Sequence, residues 1–261
     1  MKTSPHPWAS ALVTGASAGI GRAMAEQLGA AGIPTVIVAR RADRLTELAT
    51  RYSCLEPLVA DLLTVEGLEL VTQRLRHAPQ PIDLLVNNAG FGASGNVADV
   101  DPRVLQDIIT LNISALTSLT TAALPSMLAR KRGWILQVSS VASFQPGPGA
   151  AVYSATKAYV TSFSEALSLE LTGTGVTVTA LCPGFTRSEF HSVSGSADKI
   201  DRIPKAAWMS AADVAVAGLR ATAAGKAVEV PGIAYKTLAS ISNVLPRTLV
   251  RRIIDIANGP D

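Results

Sequence analysis

"ALVTGASAGIG", residues 11 to 21, joins a short apolar run to three glycines and then to an Ala-rich segment. Read as strand, turn and helix, this stretch decides the fold. Gly15 allows a tight turn, Gly19 a close approach by a pyrophosphate, and Gly21 close packing of helix on strand. The N-terminus of the helix then offers unpaired N–H groups to phosphates. Gly15, Ser17, Gly19, Ile20 and Gly21 are therefore candidate cofactor residues. The spacing, Gly-x-x-x-Gly-x-Gly, is one residue wider in its first gap than the usual dinucleotide fingerprint.

Further apolar runs follow at intervals filled by helical patterns: "TVIVA" (35 to 39), "EPLVA" (56 to 60), "IDLLV" (82 to 86), "GWILQVS" (133 to 139), "VTVTALC" (176 to 182) and "AVEV" (227 to 230). Alternating strands and helices are the signature of repeated βαβ units. The expectation is an α/β fold: one doubly wound (Rossmann) parallel sheet of about seven strands, with helices on both faces. Ligands bind such sheets beyond the carboxyl ends of the strands. A polar or glycine cluster stands there after each of the first six runs. These are "TGASAGIG", Arg40 with Arg41, Asp61, "NNAG" (87 to 90), Ser139 with Ser140, and "PGFT" (183 to 186).

The chain has 261 residues, 48% of them apolar, with no low-complexity linker, so residues 1–261 are expected to form one domain. Within it, about 187–210 reads as a substrate loop that orders over the cofactor, and about 232–258 as a helical extension. The balance of 23 basic and 20 acidic residues contains no block of like charge, which argues against a nucleic-acid partner. "MKTSPHPW" lacks the apolar core of a signal peptide, and Cys54 and Cys182 have no metal-binding spacing. A reducing cytoplasm and no metal are expected. No uninterrupted apolar run reaches the roughly 18 residues of a membrane span, so no stable insertion is expected.

A rival chemistry shares the first turn. Gly15-Ala16-Ser17-Ala18-Gly19 matches the nucleophile-elbow pattern G-x-S-x-G of serine hydrolases. That reading needs an earlier strand for the oxyanion loop and a suitable His. No strand precedes this one, and the only later histidines are His77 and His191, in polar or Gly/Ser-rich surroundings.

The end of the second run bears on which nucleotide binds. A carboxylate there would hold a free ribose 2′-OH; a guanidinium would pair with a 2′-phosphate. Ala39 occupies the acid's place and Arg40 and Arg41 follow, which favours NADP(H) over NAD(H). The nearest acid, Asp43, reads as the N-cap of the next helix.

Hydride transfer to a carbonyl needs a proton donor and a stabiliser for the oxygen. "YSATK" (153 to 157) sets Tyr153 and Lys157 four residues apart on one helix face. Lowering a phenol from a pKa of about 10 to about 7 takes roughly 4 kcal/mol. An ammonium about 4 Å away at an effective dielectric near 20 supplies about that much. Ser140 ends the fifth run thirteen residues earlier and is a candidate donor to the substrate oxygen. Ser139 is an alternative, although strand alternation points the two side chains to opposite faces. Asn112, in "LNISAL", falls in a helix interior, where Asn is a poor fit. A water held at its backbone or amide would extend a proton relay to Lys157. A purely structural hydrogen bond is the alternative.

Taken together, TGASAGIG, NNAG, LNIS, the Ser140-to-YSATK spacing and PGFT resemble the short-chain dehydrogenase/reductase family over residues 14 to 186. The resemblance implies a catalytic set of Asn112, Ser140, Tyr153 and Lys157, with Lys157 also holding the nicotinamide ribose. It implies that Asp61, Leu62, Asn88, Ala89 and Gly90 lie beside the adenosine half, and Pro183, Gly184 and Thr186 against the nicotinamide. It further implies a homodimer or homotetramer built on the helices carrying Asn112 and Tyr153. NADP-dependent members often carry a basic residue where this chain has Ala18, which leaves the discrimination mainly to Arg40. Similar bacterial 3-oxoacyl-carrier-protein reductases end soon after a Gly-Gly, whereas this chain continues through an amphipathic extension.

Substrate contacts are expected from Phe91, Val141, Phe144 and Phe190, with Val152, Val193 and Trp208 in the same variable stretches. This lining favours an apolar ketone or aldehyde, interconverted with its alcohol. The alternatives are an NAD-dependent alcohol dehydrogenase on the same fold and a cofactor-binding regulator without turnover.

Overall fold

The computed structural model describes residues 6–76, 80–190 and 204–258. Its strands are β1 (Ala11–Thr14), β2 (Thr35–Ala39), β3 (Leu55–Val59), β4 (Leu84–Asn87), β5 (Gly133–Val138), β6 (Val176–Leu181), the short β7 (Thr186–Arg187) and β8 (Met209–Ser210), and β9 (Val228–Glu229). Its helices are α1 (Gly19–Ala30), α2 (Ala42–Arg51), α3 (Val65–Arg76), α4 (Pro102–Ile109), α5 (Leu116–Ala129), α6 (Ala151–Glu170), α7 (Ala211–Ala223), α8 (Ile233–Val244) and α9 (Arg247–Asn258). A π-helical turn, Thr110–Ala115, joins α4 to α5.

Seven strands form one parallel sheet in the order β3-β2-β1-β4-β5-β6-β9. The order reverses between β1 and β4, where a doubly wound sheet opens its ligand crevice. All seven predicted runs are strands. Strand alternation divides the core. Val13, Ile37, Val86 and Leu136 pack under α1, α2 and α7 with Met24, Leu28, Leu45, Leu48 and Leu219. Leu12, Val36, Leu85, Ile135 and Val178 pack under α3, α5 and α6 with Val71, Leu119, Met127 and Leu167. Each fully buried Leu or Ile contributes about 1.5–3 kcal/mol relative to exposure.

Three local readings are corrected or extended. The third strand is a sheet edge with Val59 half exposed, and Pro57, which cannot donate to a ladder, is tolerated there. Asp43 does not cap α2: Arg41 holds the N-cap position, no side chain caps the helix, and Asp43 lies in its first turn. There its charge opposes the positive helix end without a capping bond. The β7–β8 pair, which the sequence reading did not anticipate, closes the stem of the loop after "PGFT". The helical stretch Pro102–Ala129 is long and apolar enough to cross a membrane by length and composition, but 44% of its most apolar window is buried in the fold.

Candidate active site

The phosphate turn adopts the geometry its glycines permit. Gly15 and Gly19 lie at φ of 66° and 55°, the left-handed region that L side chains rarely enter. A Cβ on Gly21 would collide with the Gly15 carbonyl and the Asn88 amide, so helix and strand meet only because Gly21 has no side chain. Asn88 fastens the turn to β4: Nδ2 donates to the carbonyls of Thr14 (2.9 Å) and Gly15 (3.3 Å). Thr14 Oγ1 accepts from the backbone N–H groups of Asn88 and Ala89, both at 3.0 Å. "TGASAGIG" and "NNAG" are thus one hydrogen-bonded unit.

α1 begins at Ala18 with no side-chain cap and no acid in its first turn. Its first N–H groups and the positive end of its dipole face a groove of about 450 Å³ lined by Ser17, Gly19, Arg22, Arg44, Ser188 and Glu189, among others. Positive-φ glycines, an uncapped helix start and flanking guanidinium groups fit a dinucleotide's phosphates.

The two arginines after β2 diverge. Arg41 turns toward the glycines, donating from Nε (3.2 Å) and Nη2 (3.0 Å) to Ser17 Oγ and from Nη1 (2.7 Å) to Glu189. Arg40 is mostly exposed, with Nη1 3.8 Å from Asp61. Asp61 accepts from the Leu63 N–H at 3.0 Å, and Leu62 is buried in the core. Ser17 Oγ thus sits against a guanidinium on the phosphate turn, a setting that suits anion binding. His77 and His191 lie outside the described residues.

At the ends of β4, β5 and β6 the four predicted catalytic residues converge. Ser139 points into the core, its Oγ donating to the Lys157 carbonyl at 2.8 Å, while Ser140 faces the site and hydrogen-bonds Tyr153. Strand alternation thus separates the two serines. Lys157, 5% exposed, donates from Nζ to the Val138 carbonyl at 2.8 Å and lies 5.7 Å from the centre of the Tyr153 ring. Gly90 and Gly92 admit this cluster. A Cβ on Gly90 would come within 2.8 Å of Asn112 Oδ1, and one on Gly92 within 2.9 Å of the Tyr153 ring.

Asn112 occupies the π-helical turn, a local widening that often marks a functional position in a helix. Its Nδ2 donates to the Phe91 carbonyl and to Thr156 Oγ1, both at 3.0 Å, and its Oδ1 accepts from the Phe91 N–H at 3.2 Å. Both amide N–H groups are committed to these partners, so the Asn112 side chain ties the loop after β4 to α6. A water at its backbone or at the second lone pair of Oδ1 is compatible with these bonds.

The electrostatics differ from the simple expectation. Burial pushes the Tyr153 phenol up to about 12, and the Ser140 hydrogen bond only partly opposes this. Burial also pushes the Lys157 ammonium down to about 8, opposed by the nearby Cys182 sulfur. Burial thus acts on the phenol against the expected lowering, and the Lys157 ammonium, held toward the Val138 carbonyl, does not counter it in this arrangement.

On the far side, Val141 accepts the start of "PGFT", its N–H donating to the Pro183 carbonyl at 3.0 Å. Thr186 Oγ1 donates to the Gly184 carbonyl at 3.0 Å. Phe190 packs on Tyr153 with ring centres 5.4 Å apart, and Phe185 on Trp208 at 5.7 Å. Val141 and Phe144 also pack against Val230 and Ala239, so α8 backs this wall. Residues 191–203 of the predicted substrate loop, Val193 among them, lie outside the described residues.

Tyr235 was missed by sequence reasoning. Its ring presses on Gly184, where no Cβ would fit. Its hydroxyl accepts from the Phe185 N–H (3.2 Å) and donates to the Ala207 carbonyl (2.7 Å), joining α8 to both sides of the β7–β8 stem. One Tyr in an amphipathic stretch gives no sequence signal of that kind.

Residues 9–199 match the family model described as short chain dehydrogenase. Sulfoacetaldehyde reductase 2 of Chromohalobacter salexigens is 37% identical over 193 residues, 72% of this chain and 77% of that protein. A short-chain dehydrogenase from Sphingobium yanoikuyae, solved in complex with NADPH, superposes with a TM-score of 0.80 at 33% identity, covering 90% of this chain and 93% of that one. The bulky-bulky ketone specific alcohol dehydrogenase from Comamonas testosteroni gives 0.77 at 29% identity, covering 94% and 96%. With the glycine turn, the Asn112, Ser140, Tyr153 and Lys157 cluster and the family match in agreement, the chain belongs to the short-chain dehydrogenase/reductase family of oxidoreductases.

Proposed function

We propose that this protein interconverts an apolar ketone or aldehyde and its alcohol with NADP(H), reduction by NADPH being the favoured direction. The observation that supports the reading is Arg41 hydrogen-bonded to the phosphate turn together with the Ser140, Tyr153 and Lys157 cluster at the neighbouring strand ends. When bound, the nicotinamide would supply the hydride for the carbonyl carbon.

The chain's residues manage the oxygen and the proton. Ser140 Oγ donates a hydrogen bond to the carbonyl oxygen as its negative charge grows. The Tyr153 hydroxyl delivers its proton to the same oxygen, completing the alcohol. A phenol raised to about 12 is fully protonated near neutral pH, which suits the reductive direction. Lys157 has two further N–H groups for ribose hydroxyls and stabilises the phenolate left behind. Asn112 holds the floor of the site by joining the Phe91 backbone to Thr156.

Two features support NADP(H): the absence of an acid at Ala39 and the paired Arg40 and Arg41. The similar Sphingobium protein, solved with NADPH, supports the same choice. Phe190 against Tyr153, with Phe91 and Val141 nearby, supports an apolar and bulky carbonyl over a sulfonated aldehyde. The similarity to an enzyme specific for bulky-bulky ketones agrees.

Arg41→Ala is expected to weaken NADPH about 10- to 100-fold, the worth of a charge-assisted hydrogen-bond pair, and to leave NADH within about threefold. Arg40→Ala, measured alongside, apportions the phosphate between the two. Equal losses for both cofactors in both variants would remove the NADP reading. A panel of aliphatic, aromatic and steroid ketones followed by NADPH absorbance tests the substrate class.

A further inference from the structure

The guanidinium proposed for the cofactor phosphate already holds an anion supplied by the chain. Glu189, 148 residues away in sequence, reaches across the groove from the segment after β7. Its Oε2 lies 2.7 Å from Arg41 Nη1, and its Oε1 lies 3.7 Å from Arg44 Nη2. Two oxygens of one anion shared between two guanidinium groups is the arrangement that a phosphate monoester takes. The same carboxylate lines the groove with Ser17, Gly19 and Arg22. Arg22, on the same groove, is itself paired with Glu26 and Glu47.

We infer that Glu189 is a specificity-determining residue: it occupies the Arg41 guanidinium that the 2′-phosphate of NADP(H) would use, and so narrows the preference for NADPH over NADH. The inference rests on the proposed role of Arg41. For NADPH to bind, the carboxylate must give up the Arg41 contact, whereas NADH has no phosphate to place there. The side chains of Arg41 and Glu189 are 43% and 44% exposed, so the pair is a solvent-screened one. The penalty on NADPH should therefore be modest, about two- to fivefold.

The test is fluorescence titration of NADPH and NADH, without substrate, into wild type, Glu189→Gln, Arg41→Ala and the double variant. Glu189 is surface-exposed, and Gln keeps its shape. The expected result is a two- to fivefold gain in NADPH affinity for Glu189→Gln, no change for NADH, and no gain in the Arg41→Ala background. The gain should also shrink at 0.5 M salt, where screening already weakens the ion pair. Unchanged or weaker NADPH binding in Glu189→Gln overturns the inference, as does a loss of NADH affinity, which would make Glu189 a ribose ligand. If Arg41→Ala alone spares NADPH, the underlying NADP reading fails instead, so the two failures are distinguishable.

Discussion

At the N-terminal end of the sheet, Asp83 lies just before β4, and its carboxylate takes hydrogen bonds from Arg130 (2.5 Å), Arg132 (3.1 Å) and the Ala9 N–H (3.0 Å). At the C-terminal end, Arg41 and Glu189 form a contact of 2.7 Å beside the glycine turn. The Asp83 side chain is 6% exposed and enclosed by its partners, whereas the second pair borders a groove of about 450 Å³. The same two charged groups, carboxylate and guanidinium, serve different purposes because of this setting. A buried, fully partnered carboxylate holds β1, β4 and β5 in register. A solvated pair at the strand ends costs little to open and can exchange one anion for another.

Breaking the N-terminal cluster should produce the larger effect. Asp83→Asn leaves two guanidinium groups short of their anion and is expected to cost about 3–5 kcal/mol in urea unfolding while leaving NADPH affinity unchanged. Burial pushes the Asp83 carboxyl up, but the bonds from Ala9, Arg130 and Arg132 outweigh it and hold it below the usual carboxylate range. Its stabilisation is therefore complete above the unfolded carboxylate's pKa and is lost as pH falls through the lower folded value. Wild type should show that acid limb, and Asp83→Asn should lack it. A change in cofactor affinity without a change in stability would undo the contrast between the two ends.

A smaller effect is expected at Lys157, on the C-terminal side. Its folded pKa of about 8 lies below the ordinary 10.5, so between those values the unfolded chain binds more protons than the native one. Stability should rise with pH there. From pH 8 to 10 the gain is ~2 kcal/mol, and it should vanish in Lys157→Met. The measurement is unfolding free energy against pH. Identical slopes in the two proteins would show that the ammonium is not desolvated as described. Above pH 10 Tyr153 acts in the opposite sense, because the unfolded phenol ionises before the native one, so the interval from 8 to 10 is the informative one.

Much of this division was legible in the sequence. Short apolar runs ended by glycine or polar clusters marked both the strands and the crevice. The helical spacing of Tyr153 and Lys157 placed them on one face, and alternation separated Ser140 from Ser139. What remained hidden depends on contacts between distant segments. That Arg41 rather than Arg40 turns toward Ser17 is set by backbone direction at the start of α2. The anion that Arg41 meets comes from 148 residues away. The π-helical turn at Asn112 showed only as an awkward polar residue in a helix. The rise in the Tyr153 pKa reflects burial by the assembled loops, which a pairwise estimate between phenol and ammonium leaves out. Tyr235 became part of the site only once α8 had packed against Gly184.

The most direct test compares NADPH binding and carbonyl reduction in wild type and Tyr153→Phe, using the most active ketone of the panel. The phenylalanine keeps the ring that packs on Phe190 and loses only the hydroxyl. NADPH affinity should stay within about threefold, while turnover should fall about 10²- to 10⁴-fold, the usual worth of a positioned proton donor. Turnover comparable to wild type in the variant would contradict the assignment of Tyr153 as the proton donor and, with it, the chemical role given to this end of the sheet.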